Sequence, residues 1–115
     1  MNNEIQQLLE QIKICINKKD SYIVFDVNNI ICSKYSLSSK IIKKIIKSLT
    51  ISNYVDSREN IYIFNFTTKL VDGNGSRNEI NIGIDIKYID KLNTIVIYNI
   101  YEINYNGGER YEKLL

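Results

Sequence analysis

Four lysines, Lys40, Lys43, Lys44 and Lys47, recur at three- and four-residue intervals, the spacing that gathers side chains on one face of a helix. Ammonium groups so arranged can neutralise phosphates and release the counterions condensed on a nucleic-acid backbone. No Arg stands among them, and Arg is the side chain that holds phosphates and base edges through paired bonds. A solvated helix face explains the stripe more economically. Two further residues have the chemistry of contact rather than catalysis. Arg77, one of three arginines, follows the flexible Gly73-Asn74-Gly75 and could enter a groove on a partner. Tyr98 falls on the side of its segment expected at the surface, where a tyrosine ring can stack on a base or anchor a protein interface.

What is missing excludes more than these residues suggest. The chain of 115 residues has no His, so it lacks the commonest general base and the commonest metal ligand. Cys15 and Cys32 form no C-x-x-C pair and find no third soft ligand, which leaves them as buried reduced thiols of a reducing compartment. Neither a dinucleotide-binding nor a P-loop glycine pattern occurs, and no cofactor or metal site is expected. The net charge of +2 names no partner. Ile, Asn, Lys and Tyr supply 23, 15, 12 and 9 residues, all of them types with A/T-rich codons, which indicates a low-GC genome and weakens any argument from lysine or asparagine abundance.

Asp26 lies within Tyr22-Ile-Val-Phe-Asp-Val-Asn-Asn29, which resembles the first strand of PIN-type nucleases, where an acid at the end of the apolar strand helps to hold a divalent metal. The resemblance covers some eight residues, and the other acids, Asp56, Asp72, Asp85, Asp90 and Glu102, are scattered through turns and strands. The order of elements is loosely similar to small RelE-like and colicin-like ribonucleases. That likeness implies a site without His, in which Arg77 or Lys87 stabilises the phosphorane charge while Glu102 or Tyr101 handles the proton.

The elements that position these residues follow from hydrophobic periodicity. Ile5, Leu8, Leu9, Ile12, Cys15 and Ile16 lie on one face of a helix over about residues 3–17. Residues 22–27, β-branched and aromatic throughout, fit a strand covered on both faces. Asn28-Asn29 then breaks the run, and residues 30–35 are either the second strand of a hairpin, the preferred reading, or the loop into the next helix. A second helix over about residues 37–49, capped by Ser36 or Ser38, sets Ile41, Ile42, Ile45, Ile46 and Leu49 against the lysine stripe. Three antiparallel strands follow. The first covers residues 61–71, and the second alternates Ile80, Ile82, Ile84, Ile86 and Tyr88 with polar residues. The third, residues 94–105, sets Ile95, Ile97, Tyr101 and Ile103 on one side and Val96, Tyr98 and Ile100 on the other. The tail from residue 106 is expected to be frayed or a short helix.

The expected fold is therefore a single α+β domain, residues 1–115, with two helices packed on one face of a mainly antiparallel sheet that ends in a three-strand meander. Fully apolar runs reach at most four residues, as at residues 22–25 and 95–98, against the ~20 needed to cross a bilayer, so no membrane partner and a cytoplasmic location are expected. With no catalytic constellation, the expected function is a small non-enzymatic module that binds another protein, as phage-encoded inhibitors, immunity proteins and antitoxins do. The alternative is an RNA- or DNA-binding protein, or a small ribonuclease, that uses the lysine face. One of the long strands, residues 61–71 or 94–105, should lie at a sheet edge and offer a site for a partner or for a homodimer.

Overall fold

A computed structural model describes residues 2–25, 38–106 and 109–114, with side-chain environments over residues 3–25 and 38–103. The first helix, α1 (Asn2–Ile16), buries Ile5, Leu9, Ile12, Cys15 and Ile16 at the anticipated spacing. It ends in a tightened turn in which the Asn17 and Lys18 N–H groups donate to the carbonyls of Ile14 and Cys15. After the strand β1 (Tyr22–Phe25), the second helix α2 (Ser39–Ser48) starts at Ser38, whose Oγ accepts from the Ile41 N–H at 3.2 Å. A cap of this kind contributes ~1 kcal/mol. Ile42, Ile45 and Ile46 are buried, as is Leu49 just beyond the helix. The stretch of residues 26–37, with the expected hairpin, Ser36, Asp26 and Cys32, lies outside the described residues.

A 3-10 turn at Ile51–Asn53 leads into β2 (Tyr54–Arg58), a strand the sequence analysis did not anticipate. It returns through Glu59 and Asn60, both at positive φ, into β3 (Ile61–Val71). A turn at residues 72–76 joins β3 to β4 (Arg77–Ile89), and a 3-10 turn at Asp90–Leu92 joins β4 to β5 (Thr94–Asn106). The strand β6 (Glu109–Leu114) closes the order. The sheet runs β1-β5-β4-β3-β2, with β6 paired to β5. All neighbours are antiparallel except β1, which lies parallel to β5 with Tyr22 opposite Thr94 and Phe25 opposite Ile97.

The class is α+β with the β3-β4-β5 meander at its centre. One apolar cluster takes in the buried residues of α1, Ile42 and Ile46 of α2 and Leu49 just beyond it, together with Phe64, Leu70, Ile80, Ile82, Ile84, Ile86, Ile95, Ile97 and Ile100 of the sheet. No helix among the described residues is long and apolar enough to cross a membrane.

Three expectations need correction. The run at residues 22–25 is not covered on both faces: Ile23 and Phe25 pack on the core, while Tyr22 and Val24 are 62% and 46% exposed. Its β-branched, aromatic composition could not tell an outer strand from an inner one, because both suit a pleated backbone. The tail is a strand, not a helix or a frayed end, because β5 still has main-chain groups to pair along Tyr101–Asn106. The alternation of β5 breaks at Tyr98, where Asp85 pairs with Asn99 but Ile86 pairs with Ile97. That extra residue is a β-bulge, and it shifts the phase by one. Ile100 consequently joins Ile95 and Ile97 in the core, and Tyr101 and Ile103 are buried on the other side of the strand.

Candidate functional site

Among the residues singled out from the sequence, the structure brings two together. The four lysines of α2 are all exposed, opposite the buried isoleucines. At 100° per residue Lys40, Lys43 and Lys47 run along the outer face, whereas Lys44 lies on the flank next to Ile41, Ile45 and Ser48. Those four residues form one wall of a cleft of about 600 Å³. The other wall is Thr68, Lys69, Leu70, Val71 and Asp72 at the end of β3, with Arg77 at the start of β4. Arg77 pairs with Val71 across the hairpin, which is what carries it to the cleft. Lys44 and Arg77 thus share one site, and Lys69, which the sequence analysis passed over, adds a third cation.

The hairpin end is built around Asp72. Its Oδ1 accepts from the N–H groups of Asn74 and Ser76 at 2.9 and 3.0 Å, and its Oδ2 accepts from Asn78 Nδ2 at 3.1 Å. Gly75, at φ 81°, takes the left-handed position that the turn needs. The carboxylate thus organises the loop that leads from Val71 to Arg77. The floor of the cleft is apolar, supplied by Ile41, Ile45 and Leu70.

Beside this cleft the sheet is open among the described residues. β2 pairs only with residues 61–64 of β3, so among the described residues no strand lies along the outer edge of β3 from residue 66 onward. The edge of β5 is covered instead, by β1 along its first residues and by β6 along Tyr101–Asn106. Of the two long strands expected to compete for an edge, β3 holds it over about half its length among the described residues.

The remaining candidates do not converge. Tyr98 is half-buried at the bulge rather than fully at the surface. Tyr101 lies against Gly83, where a Cβ would meet its ring, and its hydroxyl donates to Asp85 Oδ1 at 3.4 Å. Asn99 Nδ2 donates to the other carboxylate oxygen at 2.8 Å. Glu102 follows Tyr101 in a regular strand and so points to the opposite side, opposite Ile82. Arg77 stands six residues along β4 from Gly83, roughly 20 Å away at strand rise, and Lys87 four residues the other way. The four residues named for a ribonuclease site are therefore not gathered into one. Among the described residues there is no group of three or more His, Cys, Asp and Glu side chains able to hold a metal ion.

Compared with known proteins, the chain matches no family model, no curated protein and no solved structure.

Proposed function

We propose that this protein is a small non-enzymatic binding module that docks another protein in the cleft between α2 and the end of β3. The reading puts it with inhibitors, immunity proteins and antitoxins in its manner of action, which is occupation of a partner's surface. One observation carries it. An apolar-floored cleft with cations at its rim adjoins a run of β3 that no described strand pairs, and an unpaired strand edge is a template for another chain.

Ser48, exposed on α2 and lining the cleft, provides the test. Ser48→Trp fills the cleft without touching a buried position, while Ser48→Ala leaves it open. In a pull-down from a low-GC bacterial lysate treated with nuclease, the wild type and Ser48→Ala should retain the same protein, and Ser48→Trp should lose it. Retention that vanishes with nuclease in every variant would replace this reading with a nucleic-acid one.

A further inference from the structure

The sheet edge at the cleft specifies more about its occupant than that it is a protein. The Asp72 N–H donates inward, to the carbonyl of Ser76 on β4. Main-chain groups alternate in direction along an antiparallel strand, and the register from Val71 opposite Arg77 to Tyr62 opposite Ile86 is continuous. The N–H and C=O groups of Leu70 and Thr68 therefore face β4, and those of Thr67, Lys69 and Val71 face outward. The closing pair of the β2-β3 hairpin, Arg58 opposite Ile61, gives the same parity from the other end, since Ile61 must face β2. Along ~15 Å of edge the strand presents donors and acceptors in alternation.

We propose that this edge binds an extended segment of a partner protein in which apolar and acidic residues alternate, added beside Thr67, Lys69 and Val71 as a further strand of the sheet. The proposal rests on the reading of the cleft as a protein-docking site and names the kind of segment it takes. A peptide strand alone supplies both donors and acceptors at strand spacing. A phosphodiester backbone offers only acceptors and would leave the outward carbonyls unmatched. Alternate side chains of an added strand point to the two sides of the sheet. Those on the helix side meet Ile41, Ile45 and Leu70 and must be apolar. Those on the other side lie beside the exposed Lys69, and Lys44 and Arg77 line the same cleft. Asp72, the one acid lining the cleft, already accepts from Asn74, Ser76 and Asn78.

The same charges disfavour a second copy of this chain centred on Lys69 as occupant. Two β3 edges paired about a two-fold axis through Lys69 would set one Lys69 directly opposite the other, and like charges directly opposite destabilise a strand pair.

The test uses a short, end-capped, fluorescein-labelled peptide alternating Val and Glu, measured by anisotropy against the full chain. Its counterpart of equal length alternates Val and Lys. The acidic peptide should bind saturably and the basic one at least ~10-fold more weakly, because like charges at the rim repel. Lys69→Pro removes an outward N–H while sparing the β3-β4 ladder, as proline on the free side of an edge strand does. It should weaken binding further than Lys69→Ala, which removes the charge alone. Should Lys69→Pro fail to fold, a Val/Glu peptide methylated on alternate backbone nitrogens makes the same measurement on the wild type and should not bind. Equal binding of both peptides, or of neither, overturns the proposal, as does unchanged binding after N-methylation. So does competition by a short oligothymidylate, or a concentration-dependent dimer that Lys69→Pro abolishes. If the acidic peptide fails while lysate capture remains sensitive to Ser48→Trp, the occupant is wrong and the docking site stands.

Discussion

Tyr88 shows how a single side chain is set by its surroundings. Its hydroxyl donates to Asp90 Oδ1 at 2.9 Å beside the buried Cys15. Burial, and then the bond to Asp90 with its negative charge, push the phenol up to about 12. In the unfolded chain the group titrates near ~10. The folded value is the higher one, so the stabilisation is complete below pH 10 and is lost as pH rises through 12. The difference in urea midpoint between wild type and Tyr88→Phe should therefore hold steady up to pH 10 and narrow from there to pH 12. A difference that does not change over that window would mean that Tyr88 ionises as in the unfolded chain. Cys15 was legible as a buried thiol because it recurs with the apolar face of α1, and burial raises its pKa. Which side of β5 Tyr101 would occupy was not legible. It depends on the bulge at Tyr98, and nothing in Ile-Tyr-Asn-Ile marks which residue of a strand is to be left out of register.

At the scale of elements, the hairpin between β2 and β3 shows why one strand escaped notice. Residues 54–58 carry Asp56, Ser57 and Arg58 and lack an apolar alternation, because the strand is at an edge with Val55 and Asp56 exposed. Its one signal is the two-residue loop Glu59-Asn60, whose positive φ values of 52° and 66° describe the turn that matches the twist of a hairpin. Glutamate in a left-handed conformation costs ~1 kcal/mol. Replacing the pair with Asn-Gly, the sequence this turn prefers, should add ~1 kcal/mol of stability. A chemical denaturation curve would then move to a higher midpoint with its slope unchanged. A lower midpoint would mean that the Glu59 side chain contributes more than its backbone strain removes.

At the scale of the whole molecule, the lysine face of α2 and the cleft are distinct enough for the two proposed readings to be tested apart. Lys43 and Lys47 lie on the outer face and do not line the cleft. Reversing both to Glu leaves Ile42, Ile45 and Ile46 untouched, so stability should change by no more than ~0.5 kcal/mol. Capture of a protein partner should stay within ~2-fold of wild type, with any change in the association rate, because rim charges steer encounter more than they hold a complex. If nucleic acid is the partner, the double variant abolishes binding, and the wild-type log affinity falls with log salt at ~0.7–0.9 per phosphate contacted. Surface plasmon resonance across a salt series distinguishes the two outcomes.

The amino-acid sequence by itself determined the two helices α1 and α2, which residues of β4 face the core, and which residue types the chain lacks. Those are matters of local period and of composition: Ile80, Ile82, Ile84 and Ile86 alternate whatever they pair with. The tertiary structure decided the rest. The parallel placement of β1 beside β5, the pairing of β6 with β5, and the pairing of β2 with residues 61–64 of β3 all depend on which main-chain groups meet across the fold. Hydrogen-bonding capacity is nearly the same at every residue, so its pairing leaves no periodic trace in the sequence. Arg77 and Lys44 were legible as single cations. Their meeting over an apolar floor was not, because it required the β3-β4 register and the rotation of α2 to be fixed together.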